Sequence, residues 1–352
     1  MKNLCTFPCR AAVFLLLAGF PSQCVGQPAT APKKTPGPKI WSVTLTPEGQ
    51  PDLQGVWLDN NATPLERPPA LQGRPFLTDA EVEDMKLRAK RLFDSGSGSD
   101  YASGDAVFLS VLTNTTEYKS VTSTAGSVEM IDREFDNRTS LIVDPPDGRI
   151  PPMTPAALQR QSARPPALAA GLRPPARAQD LTSAIRCITA GLPRLGGRYG
   201  AGDFGYYQIF QALGYIVVFS EVMHEARIIP LDGRSHPPSD VRSWIGDSVG
   251  RWEGNTLIVD TTNFSAQANF LGSAENLHLV ERFTRVADNE IRYEVTLEDP
   301  TTWTRPWTAM VRLRQARQSL YEFACHEGNQ PLEGILTGAR AEEKEAAPKR
   351  LR

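Results

Sequence analysis

The sequence predicts a mainly β protein, an antiparallel β-barrel or β-sandwich with one or two short peripheral helices, and three observations carry that expectation. From Tyr206 onward, short runs rich in Val, Ile, Tyr and Phe recur between turn residues at the spacing of antiparallel strands. In one run, Ile291, Tyr293, Val295 and Leu297 alternate with Arg292, Glu294, Thr296 and Glu298, which makes one face apolar and the other polar. Finally, no βαβ alternation appears, which argues against a doubly wound parallel sheet.

Taken in chain order, the first element is not structural. Lys2 and Arg10 precede the apolar run from Ala11 to Phe20 and a short polar stretch ending near Gly26, the layout of a secretory signal over residues 1–26. Residues 27–50 are expected to be a flexible leader, because QPATAPKKTPGPKI has too little apolar surface to order itself. A first strand is expected in PDLQGVWLDN, carried by Leu53, Val56 and Trp57.

A helix near 79–94 follows, with Thr78 and Glu81 as a capping box and Val82, Met85, Leu87 and Phe93 as its apolar side. A second helix near 155–161 starts from Thr154, with Pro155 presetting the first helical φ. GSVEMIDREF and RTSLIVD are strand candidates before it, and the stretch SARPPALAAGLRPPARAQ after it reads as a surface loop.

The main strand series is YYQIFQA, YIVVFSEV, ARIIPLD, SVGRWEG, NTLIVDTTNF, LHLVERFTRV, EIRYEVTLED, TAMVRLRQ and SLYEFACHE, with hairpin turns at EGN and ADNE. The parallel strings SLIVDPPDGRIPP and ARIIPLDGRSHPP predict two similar turns, with Gly148 and Gly233 at positive φ. A single β-rich domain over 51–340 and a charged tail over 341–352 complete the expected organisation.

At 352 residues, 40% apolar and 22% charged, the chain has the composition of a globular protein rather than a membrane bundle or a low-complexity segment. Its 38 basic residues nearly balance 40 acidic ones, so nucleic acid is not an expected partner. Removal of residues 1–26 leaves about 36 basic against 40 acidic residues and no expected transmembrane segment. Two cysteines remain after that removal, Cys187 and Cys325. In a secreted or periplasmic chain they predict a structural disulfide; a Cys325 nucleophile beside His326 is the alternative.

The strings RTSLIVDPPDGRIPPMTP, RIIPLDGR, GDSVGRWEGNTLIVDTTNF, VERFTRV and ACHEGN together resemble a large family of secreted, uncharacterised bacterial proteins, from about Pro51 to Arg340. That resemblance implies no reaction and no cofactor. A separate likeness concerns fold. Gly55-Val56-Trp57, followed by a train of antiparallel strands, is similar to the GxW opening of lipocalin-like, or calycin, barrels, which implies a tryptophan closing the barrel floor and a small-molecule cavity.

The chain has four histidines, His224, His236, His278 and His326. If strand ends bring His224, His278 and His326 together, with Glu221, Glu281 or Glu327 near, they would form a site for Zn or another divalent metal. The metal-free version uses His326, His278 and His224 as proton carriers, Glu327, Glu322 or Glu221 as tuning carboxylates, and Arg227 or Asn329 to stabilise developing negative charge. His236, in a proline turn, is the least expected participant.

Asp247, Arg251, Trp252 and Glu253 are a candidate stacking and hydrogen-bonding clamp, and Trp303 with Trp307 a candidate aromatic surface. No phosphate loop, GxSxG elbow or Rossmann fingerprint is present. The expected function is therefore small-molecule binding in a cavity with hydrolase- or lyase-type chemistry. The alternatives are a non-catalytic binding protein and an envelope structural or interaction protein.

Overall fold

A computed structural model describes residues 41–94, 104–114, 134–163, 175–195 and 205–346, all within the unit Trp41–Arg352. The sheet has strands β1 (Gly55–Leu58), β2 (Ile142–Asp144), β3 (Tyr206–Ala212), β4 (Tyr215–Ser220), β5 (Glu225–Pro230), β6 (Asp247–Glu253), β7 (Thr256–Thr262), β8 (His278–Ala287), β9 (Glu290–Glu298) and β10 (Trp307–Gln315). Nine of them follow the order β5-β4-β3-β1-β10-β9-β8-β7-β6, and β2 pairs with β10 beside that path.

Of the two architectures left open by the sequence, the barrel forms. The sheet coils until β5 and β6, the ends of its order, approach each other. A Cβ on Gly250 of β6 would lie 2.7 Å from Leu231 and 2.8 Å from Ile229, so only glycine lets the seam draw this close. Period-two alternation supplies the core: Ile291, Val295 and Leu297 of β9 are fully buried and Tyr293 nearly so. Trp57, 0% exposed, donates its indole N–H to the Leu53 carbonyl at 2.8 Å and carries the Arg285 guanidinium 5.6 Å above its ring.

The connections sort by length. Two-residue hairpins join β3 to β4, β6 to β7 and β8 to β9, the last two at the predicted turns. Because paired strands are antiparallel, all three hairpins fall at one end of the barrel. The longer connections 221–224, 263–277 and 299–306 fall at the other. Gly148 and Gly233 have the expected positive φ, 69° and 75°.

Helix α1 (Asp79–Asp94) starts at its capping box, where the Thr78 N–H donates to Glu81 Oε2 at 2.8 Å and the Glu81 N–H returns to Thr78 Oγ1 at 3.3 Å. Its buried stripe is Val82, Met85, Ala89 and Leu92; Leu87 faces solvent, 61% exposed, one position off that stripe. Helix α2 (Gly104–Leu112), which the sequence reading did not foresee, shares a second apolar cluster with α1 through Val107, Phe108 and Val111. Helix α3 (Pro155–Ala163) starts as predicted, with Thr154 Oγ1 accepting the Ala157 N–H at 3.1 Å.

Three expectations are corrected or displaced. SLYEFACHE forms no strand: the Tyr321 N–H donates to Glu221 Oε2 at 3.0 Å and the Phe323 N–H to His224 Nε2 at 2.8 Å, so side chains take the place of a ladder. The first half of the charged tail, residues 341–346, is the last part of helix α4 (Gln330–Ala346), and residues 347–352 lie outside the described residues. Within the expected leader, residues 41–50 have defined contacts, including the Trp41 indole donating to Asp288 Oδ1 at 2.8 Å. The signal segment, the rest of the leader and most of GSVEMIDREF and of the Pro/Ala/Arg-rich loop lie outside the described residues. No described helix is long and apolar enough to cross a membrane.

Candidate functional site

On β3, β4 and β5 every second side chain enters the lumen. The register sets Tyr207, Ser220 and Glu225 in one row and Ile209, Val218 and Arg227 in the next. Glu281 and Phe283 enter from β8, and Tyr293 from β9, opposite Phe283 with ring centroids 4.8 Å apart.

Arg227 and Glu281 meet across the interior, since β5 and β8 are not neighbours in the sheet. Arg227 Nη1 donates to Glu281 Oε2 at 2.7 Å and Nη2 to Oε1 at 3.1 Å, a bidentate pair with side chains only 8% and 2% exposed. The Tyr293 hydroxyl donates to Glu281 Oε1 at 2.9 Å. Burial pulls the Arg227 pKa down, but the Glu281 carboxylate outweighs it and keeps the guanidinium charged. Burial, reinforced by the Glu281 charge, raises the Tyr293 phenol well above its ordinary value.

A second pair sits at the end with the long connections. Arg194 Nη2 donates to Glu225 Oε2 at 3.1 Å and to the Val222 carbonyl at 3.4 Å, and the Thr189 hydroxyl donates to Glu225. These bonds hold residues 189–194 against the β4–β5 corner. The expected disulfide, Cys187–Cys325, fastens the same segment with Cα atoms 5.7 Å apart; it also removes Cys325 as a nucleophile.

Together these elements enclose a cavity of about 50 Å³, with room for a few water-sized molecules. Its apolar walls are Leu192, Ile209, Val218, Ile245, Phe283 and Leu313. Three polar atoms on its wall residues are buried and have no hydrogen-bond partner among the described residues: Tyr207 Oη, Ser220 Oγ and Arg227 Nε. Burial raises the Tyr207 phenol, so it stays protonated and able to donate.

The histidines lie elsewhere. His224, in the β4–β5 connection, stacks on Phe219 and accepts the Phe323 N–H. His326 is exposed in the turn after Cys325, and Glu327 and Glu322 are exposed beside it. His278 starts β8 on the outer face. The expected meeting of His224, His278 and His326 is therefore corrected: each is held by its own local partners or by solvent. Among the described residues no group of three His, Cys, Asp or Glu side chains is arranged to hold a metal ion.

A different arrangement joins two histidines. His236 lies between Asp247 Oδ1, 2.6 Å from Nδ1, and Asp260 Oδ1, 3.0 Å from Nε2. His278 lies between Asp260 Oδ2 at 3.0 Å and Glu298 Oε2 at 3.2 Å. The result is an outer-face row of three carboxylates and two imidazoles. The Asp260 bond raises the His278 pKa above its ordinary 6.5 against the effect of burial. Burial pushes Asp260 up, but its two histidine partners outweigh this and hold it below its ordinary 3.8.

The aromatic candidates are core residues. Trp303 and Trp307 are 1% and 0% exposed and meet edge to face at 5.6 Å, leaving no surface for stacking. Trp252 packs against the barrel core, with Arg251 and Glu253 paired on the outside. Asn329 donates to the Ile185 carbonyl at 3.0 Å, and Glu221 is buried on the Tyr321 amide.

Of the residues singled out from sequence, Arg227 and Glu281 line the cavity; Tyr207, Ser220, Glu225, Tyr293 and Arg194 were missed. One signal was available. Glu281 interrupts the inward apolar series Leu279, Phe283, and Arg227 precedes Ile229 on the same face of β5, two charges where period two demands apolar side chains. No family model matches the chain, and neither the curated proteins nor the solved structures contain a match to it.

Proposed function

We propose that this protein binds a small organic molecule inside the barrel, as a secreted or periplasmic binding protein. The observation that carries the reading is that three buried polar atoms without a partner among the described residues, Tyr207 Oη, Ser220 Oγ and Arg227 Nε, belong to residues lining one cavity whose other charged wall residues, Arg194, Glu225 and Glu281, are already paired. Buried polar groups are nearly always satisfied, so a cluster of exceptions facing one space fits a site that a guest completes. The barrel shape and the Gly55-Val56-Trp57 opening agree with the calycin-like reading, and the N-terminal signal pattern and the disulfide agree with export.

Binding is favoured over histidine-driven or metal-assisted hydrolase or lyase chemistry, because no histidine lines the cavity and Glu281 is committed to Arg227 and Tyr293. The test is solvent extraction of protein purified from the periplasm, followed by mass spectrometry, in parallel with Val218→Phe, which fills the lumen. A stoichiometric small molecule present in the native protein and lost in the variant is the expected result. Absence of any extracted molecule, together with no thermal shift across a library of small organic compounds, overturns the reading.

A further inference from the structure

We infer that the guest is a small neutral molecule carrying one oxygen acceptor, a ketone, amide or ester carbonyl, seated with that oxygen towards Arg227 Nε, Tyr207 Oη and Ser220 Oγ. This rests on the lumen being a binding site, and it adds the chemical class of what binds there.

Donor supply argues for an acceptor. Arg227 Nε can only donate, and both hydroxyls can donate as well as accept. The carboxylate acceptors lining the lumen are already engaged: both Glu281 oxygens receive Arg227 and one also receives Tyr293, while Glu225 receives Arg194 and Thr189. A guest that brought only donors would leave Arg227 Nε unsatisfied.

Charge argues for neutrality. The ionised side chains lining the cavity are Arg194, Glu225, Arg227 and Glu281, two cations and two anions, each paired with the other kind. A carboxylate or ammonium guest would enter a balanced, low-dielectric space as an uncompensated charge, or would have to break an existing pair. A carbonyl brings an acceptor without that cost. The apolar walls and the small volume then select a compact hydrocarbon body.

The experiment is calorimetric titration of the full disulfide-bonded chain with three probes of similar size: cyclopentanone, cyclopentanecarboxylate and methylcyclopentane. Each is repeated on Tyr207→Phe/Ser220→Ala. This double substitution removes two unpartnered hydroxyls and leaves both ion pairs, so its unfolding midpoint should hold or rise.

Cyclopentanone should bind tightest to the native protein and lose about 10-fold in affinity in the variant, while methylcyclopentane should be unaffected. Equal binding of ketone and hydrocarbon, both indifferent to the substitutions, overturns the acceptor inference but leaves the binding reading standing. Preference for the carboxylate overturns the requirement for neutrality. If none of the three binds, the carbonyl inference is overturned, and the binding reading falls with it only when extraction and the thermal-shift library also find no guest.

Discussion

Two chains of titratable side chains, one inside the barrel and one on its outer face, behave as opposites. Inside, Arg227, Glu281 and Tyr293 are almost wholly desolvated and linked by short bonds at fixed geometry. Outside, the row Asp247, His236, Asp260, His278 and Glu298 is 23–42% exposed along its side chains. In the lumen a charge is stable only while its partner is present, because water cannot replace that partner. On the outer face water and salt share the work, and each bond is worth little. The residue types best known for chemistry near neutral pH are on the side where geometry matters least to a guest.

The sharpest way to break the contrast is to remove one partner on each side. Glu281→Leu should cost about 3–5 kcal/mol in urea unfolding, because it strands the Arg227 charge. Arg227→Met combined with Glu281→Leu should recover most of that loss. A Glu281→Leu effect below about 1 kcal/mol would mean that water reaches the lumen and that inside and outside do not differ.

Next in size is the Cys187–Cys325 bond. Replacing both cysteines with serine should cost about 2–5 kcal/mol in equilibrium unfolding. Amide exchange should rise in residues 187–195, which hold the cavity end, and stay unchanged in β7 and β8 around the outer row. Uniform loosening of both regions would show that the bond secures the whole barrel rather than its lumen.

Asp260→Asn should cost under about 1 kcal/mol, although it removes a carboxylate shared by two histidines, because the row is open to solvent. Its pH dependence is more telling. His278 has a raised folded pKa, so its contribution is fully present below its ordinary 6.5 and is lost as pH rises through the folded value. Asp260 has a lowered folded pKa, so its contribution is present above its ordinary 3.8 and is lost as pH falls through the folded value. The stability difference between native and Asp260→Asn should thus peak between pH 3.8 and 6.5 and shrink towards pH 9. A flat difference would remove the row as a charge-coupled unit.

Smallest is the change in His278 itself. In Asp260→Asn its imidazole titration, followed by proton NMR, should move down towards 6.5, with Glu298 retaining part of the elevation. In Glu281→Leu it should not move, since no bond links the two chains. A shift there would mean that inside and outside communicate through β8.

Much of the barrel was legible in the sequence because period-two alternation is a local property. β9 could be read residue by residue, and the turns at Gly254–Asn255 and Asp288–Asn289 were marked by their own chemistry. SLYEFACHE has the same composition as a strand but misled, because the bonds that hold it come from Glu221 and His224, about a hundred positions away. α2 follows residues with a loop-like composition and is stabilised by α1 across the second apolar cluster. Leu87 was misassigned because its neighbours Met85 and Ala89 complete the stripe only when the helix has docked.

The site was less legible than the fold. Scarcity drew attention to the histidines, yet His236, the least expected of them, has the more tightly held ring, and His326 points to solvent. By itself the sequence determined the strand series up to β10, two of the three hairpins, the capped helices α1 and α3 and the two cysteines that pair. All of these follow from backbone periodicity, capping or cysteine count, which neighbouring residues and composition specify. Only the tertiary structure decided that β5 closes on β6, that Arg227 crosses the lumen to Glu281, and that Tyr207 and Ser220 face the same cavity without partners. Those facts depend on which strands become neighbours and on what water can no longer reach, and neither is a property of any stretch of chain alone.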